Sequence, residues 1–203
     1  MFELVKRDLA LSLRYMKQMN GLFHYDTMRA VALATEKQQE FNRGEASYEE
    51  YMFWLRGLIR TSFAHIEGVT YLMRQMTIWA WERSEIILTE DEAAKLMEEE
   101  LIERDGEKIK KKRFNQLREN FELAFKYFPM AFGASFRLNK GDTGWPSFLN
   151  AAKTRNAVTH PKKPSEFMLS GIAVKEIKDT MTWFSETMSK LLAECEKAAK
   201  KSA

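Results

Sequence analysis

Between Met52 and Trp79 the apolar side chains Met52, Leu55, Ile59, Phe63, Ile66, Val69, Leu72, Met73, Met76 and Trp79 recur mostly in steps of three and four. That period matches the 3.6-residue turn of an α-helix and is incompatible with the two-residue alternation of a strand. Sustained over about eight turns, it demands one long helix over 48–83 and partners to cover its stripe. Ser47-Tyr48-Glu49-Glu50 supplies a capping-box signal at its start. Gly57 and Gly68 each cost about 1 kcal/mol relative to alanine inside such a helix and offer close approach to a neighbour. The stretch Val69 to Trp81 is broken by Arg74 and Gln75 and is too short to cross a bilayer.

The remaining pattern is helical as well. Phe2, Leu4, Val5, Leu9, Leu13 and Met16 predict a helix over 2–20, with Asn20-Gly21 as its stop. A second helix is expected from Asp26 to about Phe41. Thr89-Glu90-Asp91-Glu92 is another capping box, opening an acidic helix to about Ile102 that Arg104-Asp105-Gly106 breaks. A helix over 107–128 is expected next, with Phe114, Leu117, Phe121, Phe125 and Phe128 inward and a basic outer face. Ser147 to Val158 and Ile172 to Ala198 complete the set, Pro146 fitting an early position of the former. Gly and Pro together make only 13 residues in 203, which leaves little turn chemistry for sheets. The expected fold class is all-α: a helical bundle over 45–203 with an N-terminal helical extension, residues 1–44, packed on it. The helices over 48–83 and 172–198 are expected at its centre.

The charged fraction of 30% and apolar fraction of 45% are those of a globular chain rather than a disordered one. Net charge is only +3, but its distribution is uneven. Residues 1–100 hold 12 Lys/Arg against 17 Asp/Glu, and residues 101–203 hold 20 against 12. A basic C-terminal half is compatible with a polyanionic ligand and equally with solvated helix faces. The N-terminus interleaves charges with apolar residues and is no signal-peptide core. The single cysteine, Cys195, fits a reducing compartment, so a cytoplasmic setting and no membrane association are expected.

Within the basic half lies Arg155-Asn156-Ala157-Val158-Thr159-His160, followed by Pro161-Lys162-Lys163. In an ideal helix Arg155 and His160 point about 140° apart, while Asn156 and His160 share a face. Pro161 disfavours helical backbone at His160, which frees the imidazole to turn toward Arg155. Histidine titrates near neutrality and serves as general acid or base. Arginine pairs with phosphate oxygens through a fixed fork and stabilises developing negative charge. Asparagine can orient the phosphate or the histidine ring. Together these parts suit metal-independent cleavage of an RNA backbone by the neighbouring 2′-hydroxyl. They also suit an ordinary helix end, with Arg155 near the negative pole, Asn156 capping and His160 in a turn.

The segment resembles the signature of the HEPN superfamily of helical domains, in which arginine, commonly followed by a polar residue, precedes histidine by four to six residues. Phe148-Leu149-Asn150-Ala151-Ala152-Lys153-Thr154 before it and Pro161-Lys162 after it are similar too, as is the long final helix. The likeness covers residues 48–198 and is specific over 148–163. It implies a bundle of four or more helices, commonly a homodimer, with Arg155, Asn156 and His160 of both copies facing one cleft. Active members of that family are endoribonucleases, often toxins or parts of antiviral defence or RNA processing, and some have an antitoxin or other protein partner. Other members are non-catalytic or act in nucleotide-transfer pairs.

Further candidates are supporting ones. Arg60 and Glu67, seven apart, share a face of the long helix, and Glu67 among Ile66 and Val69 needs a partner if buried. Lys110, Lys111, Lys112, Arg113, Lys162 and Lys163 are the candidate contacts to nucleic acid. The three histidines lie far apart, Cys195 sits at a core position, and HExxH, GxGxxG and zinc-finger patterns are missing, so no metal or other cofactor is expected. Trp79, Trp81, Met130, Phe132 and Phe136 are an aromatic and methionine load that a two-fold interface can absorb. The competing expectation is a non-catalytic module binding RNA, a nucleotide or a protein.

Overall fold

The computed structural model describes residues 8–104 and 107–202. Six α-helices dominate: α1 (Leu9–Asn42), α2 (Tyr48–Glu82), α3 (Glu90–Leu96), α4 (Leu117–Tyr127), α5 (Gly144–Thr159) and α6 (Gly171–Ser202). Short 3₁₀ turns occupy Pro129–Phe132 and Pro164–Phe167, and two strands, β1 (Glu99–Arg104) and β2 (Glu107–Lys112), form one antiparallel hairpin. Helix accounts for 74% of the described residues, so the protein is an all-α helical bundle despite the hairpin.

Two compact units are interleaved along the sequence. One comprises the described residues of Met1–Gln18, Glu67–Leu138 and Met188–Ala203; the other comprises Met19–Ile66 and Asn139–Thr187. The helices α1, α2 and α6 therefore each contribute to both.

In the first unit the stripe read from sequence is buried: Val69, Met73 and Met76 are almost inaccessible, as are Phe121, Phe125 and Phe128 of α4 and Leu191 and Cys195 of α6. The rings of Phe121 and Phe125 stack at 4.4 Å, and Phe128 lies 5.0 Å from Phe132. Trp79 and Phe132 are core residues of this unit, Met130 is exposed, and Trp81 and Phe136 are half-buried. Burial pushes the Cys195 thiol up to about 12, which removes it as a nucleophile. Arg74, inside the apolar stripe and 4% exposed, donates from Nε to the Leu96 carbonyl at 2.9 Å, and its guanidinium lies 3.5 Å from Glu98. That pairing is why a cation is tolerated there. The Thr89 capping box forms in full. The Tyr127 hydroxyl also donates to Glu92 at 2.5 Å, and these donors hold the Glu92 carboxyl down to about 2.

The hairpin corrects two expectations. The acidic helix ends at Leu96 rather than near Ile102, and the helix expected over 107–128 begins only at Leu117. Cross-strand charge explains the difference. Glu99 faces Lys112, Glu100 faces Lys111, Glu103 faces Lys108 and Arg104 faces Glu107, while Ile102 opposes Ile109. Opposite charges directly across a ladder stabilise it by about 0.2–1 kcal/mol per pair. Phe114, expected inward on a helix, is 90% exposed. Asp105-Gly106, expected to break a helix, lies outside the described residues, as does the segment 2–7 of the first expected helix.

In the second unit α1 runs straight through Asn20-Gly21, where a stop was expected. Asn20 is not used as a cap: its Oδ1 lies 3.0 Å from His65 Nε2, and the helical ladder continues past the glycine. A Cβ on Gly57 would meet nothing within 4 Å, so that glycine does not serve close packing. Gly144 does. A Cβ there would lie 2.1 Å from Trp183 Cγ, so only glycine lets α5 begin against that indole. Trp145, Phe148 and Trp183 gather around the same point with centroids 5.4–5.9 Å apart, and Phe63 lies 6.5 Å from Phe148.

Candidate functional site

The motif-bearing helix α5 is anchored by its apolar side. Trp145, Phe148, Ala151 and Val158 are buried, and Asn150 Nδ2 donates to Glu176 Oε1 of α6 at 2.8 Å. Pro146 sits in the first turn, where its missing N–H has no helical acceptor to lose. The opposite side of the last turn faces outward: Arg155 is half-buried, while Asn156, Thr159 and His160 are exposed.

Arg155 Nη1 donates to Asn156 Oδ1 at 3.0 Å, so the cation and the amide are joined directly. His160 is the C-cap residue, with φ −129° and ψ 61°. Its backbone N–H closes the last turn onto the Asn156 carbonyl at 2.9 Å, and its own backbone has left the helix. The unwinding before Pro161 is what the sequence predicts. The imidazole is therefore not bound to the i+4 face it would share with Asn156 in an unbroken helix.

Arg60, on α2, reaches this helix end. Its Nη2 lies 3.4 Å from the Val158 carbonyl, one of the last-turn acceptors that α5 leaves unfilled. One turn earlier Arg56, not singled out in the sequence, holds the segment that follows the motif: its Nη1 donates to the Phe167 carbonyl at 3.2 Å and its guanidinium lies 5.4 Å from the Phe167 ring. The signal for it was present, since Arg56 and Arg60 are four apart and share a helix face. Glu166 accepts the Lys162 backbone N–H at 2.6 Å, which folds the lysine pair back over this turn. Lys162 and Lys163 are exposed, and neither has a side-chain ion pair among the described residues.

The other candidates lie elsewhere. Glu67 belongs to the first compact unit, whereas Arg60 and the motif belong to the second. Lys110, Lys111 and Lys112 are also in the first unit, exposed on β2 rather than on a helix. Lys110 lies 3.6 Å from Glu99 and Lys111 3.8 Å from Glu100, and Arg113 binds Glu119 at 2.9 Å. Much of the basic run is thus opposed by carboxylates of its own hairpin and of α4. No group of His, Cys, Asp and Glu side chains suited to a metal ion occurs among the described residues, and no helix is long and apolar enough to cross a membrane.

Another histidine, His65, is buried within the second unit. Burial first, and the neighbouring His24 second, hold its pKa down to about 4. With Asn20 Oδ1 as acceptor the proton sits on Nε2, and Phe184 packs edge-on at 5.1 Å. It is a neutral core residue rather than an acid–base group.

No family model, no curated protein and no solved structure matches this chain.

Proposed function

We propose that this protein is a metal-independent endoribonuclease of HEPN type, acting on RNA as a homodimer in the cytoplasm. The observation that carries the reading is the exposed end of α5, where bonded Arg155 and Asn156 precede a His160 whose backbone has left the helix. In the reaction, the 2′-oxygen attacks the adjacent phosphorus as its proton passes to an imidazole. The P–O5′ bond breaks, and the departing 5′-oxygen takes a proton from an imidazolium. Arg155 holds the phosphate oxygens and stabilises the charge that develops on them, and Asn156 keeps the guanidinium in place. One imidazole cannot act as base and acid in a single concerted step, and a second copy of the chain supplies the other. Arg60 and Arg56 hold the backbone around the site. Lys162 and Lys163 extend the cationic surface along the RNA strand. A role as a toxin or defence component, restrained by an antitoxin or other protein partner, fits such an activity.

The test is incubation of wild type, Arg155→Ala and His160→Ala with labelled structured and single-stranded RNAs in EDTA. Wild type should release products ending in 2′,3′-cyclic phosphate, and each variant should lose roughly 10²- to 10⁴-fold in rate. Equal cleavage by all three would remove the site. The exposed lysines of β2 favour a second reading, a non-catalytic module that binds RNA, a nucleotide or an acidic protein. It predicts binding without cleavage that weakens with salt and on loss of Lys110, Lys111, Lys112 or Arg113 but is indifferent to His160→Ala.

A further inference from the structure

The 3₁₀ turn after the motif ends on Phe167, a large apolar side chain left at the surface. Its ring is 36% exposed and Met168 beside it is 58% exposed, while Leu169 is the buried residue that ties this segment down. The Arg56 guanidinium lies over the Phe167 ring, 5.4 Å from its centroid. The same guanidinium donates to the Phe167 carbonyl at 3.2 Å, so the ring and the main chain of this residue are fixed together. Arg60 approaches the Val158 carbonyl from the same face of α2, one turn on, about 6 Å along the axis. The ring and the motif end of α5 therefore stand side by side within one compact unit. Lys162 and Lys163 are exposed on the connection between them, and Glu166, the acid of this turn, accepts the Lys162 backbone N–H at 2.6 Å.

An exposed aromatic ring set among cations is the usual way to hold an unpaired nucleic-acid strand, with bases stacked on the ring and cations on the phosphates. A ring already fixed in place binds without the ordering cost of a free one. We propose that Phe167, backed by Arg56, is a stacking platform for one unpaired base of the RNA strand whose phosphate Arg155 holds. The inference rests on the RNA reading of the same helix end and adds the substrate class. That class is single-stranded RNA, because a base stacked inside a duplex does not present its face to a protein ring. Every base has such a face, so the platform selects strandedness rather than sequence.

The probe is a short fluorescein-labelled RNA strand with every 2′-hydroxyl methylated, which binds but cannot be cleaved by 2′-oxygen attack. It is compared with a strand of equal length and charge that carries no bases, and affinity for the full chain is read by anisotropy. Phe167→Ala should weaken the intact strand roughly 5- to 150-fold, the worth of one stacked base, and leave the abasic strand unchanged. Phe167→Tyr should restore binding, and annealing the complement should remove the dependence on Phe167. In wild type the Phe167 ring protons should move upfield with the intact strand alone, a mark that needs no variant and decides if Phe167→Ala does not fold. Equal affinity of wild type and Phe167→Ala for the intact strand, an equal loss on the abasic strand, unmoved ring protons, or no binding at all would overturn the platform. Cleavage of unmodified RNA in EDTA is followed alongside. Cleavage with Phe167-independent binding removes the platform and keeps the nuclease; ring-dependent binding without cleavage does the reverse.

Discussion

Two arginines of α2 perform the same local act in different surroundings. Arg74, in the first unit, donates to the carbonyl that ends α3; Arg60, in the second, approaches a carbonyl in the last turn of α5. Arg74 is 4% exposed, and burial lowers its pKa while the Glu98 carboxylate acts against that shift. Arg60 is exposed, and its contact is the longer one, 3.4 Å against 2.9 Å. A cation buried without water must be fully partnered and so locks the structure around it. An exposed one exchanges its carbonyl for water at little cost. The first fixes a fold element, and the second leaves a helix end adjustable beside the proposed chemistry.

The largest expected effect comes from removing the buried cation. Arg74→Ala leaves the Leu96 carbonyl without its donor and Glu98 without its cation, though still bonded to Asn120, and opens a void, and should cost about 3–5 kcal/mol in urea unfolding. A loss below about 1 kcal/mol would break the contrast with Arg60. Nearly as large is Gly144→Ala, because the added methyl cannot coexist with the Trp183 ring and α5 must shift. A cost of about 3 kcal/mol is expected, with altered near-ultraviolet signal from Trp145 and Trp183. That outcome would show that packing at its start, rather than Arg60 at its end, holds α5.

His65 gives an intermediate effect. Its folded pKa of about 4 lies below the unfolded value near 6.5, so below pH 6.5 the unfolded chain binds the extra proton. Stability is intact above that pH and falls as pH drops toward 4, by about 2 kcal/mol between pH 7 and 5. In His65→Gln this slope should flatten over the same interval; an unchanged slope would assign it to other groups. Arg60→Ala should do least to stability, under about 1 kcal/mol. It should nevertheless slow RNA cleavage in EDTA, since the last turn of α5 loses a tether. A stability loss equal to that of Arg74→Ala would erase the distinction drawn here.

The helices with long periodic stripes were legible because burial follows the 3.6 period directly: Ile59, Phe63, Ile66, Val69, Met73 and Met76 are all core residues. Local end signals also read well, in the Thr89 capping box and in the exit of His160 before Pro161. The hairpin did not. Glu and Lys are good helix formers, and the pairing that overrides this preference is between residues as far apart as Glu99 and Lys112. Asp105-Gly106 between two charged runs was the available hint. The α1 stop at Asn20-Gly21 misled for the same reason, because Asn20 is engaged by His65 from another helix. Of the candidate site, the cap position of His160 followed from Pro161, whereas the hydrogen bond between Arg155 and Asn156 did not follow from the spacing. The role of Arg56 depends on tertiary neighbours, which no single-segment pattern encodes.

Cys195 also makes the molecule its own reporter. It is the only thiol in the chain, fully buried on α6 and protonated at any ordinary pH. A soluble alkylating reagent therefore meets a reactive sulfur only when that part of the helix opens, so the modification rate measures how often the core around it comes apart. At reagent levels too low to trap every opening, the rate follows the opening equilibrium; at saturating levels it follows the rate of opening itself. Unfolding kinetics can thus be read without a label added to the protein.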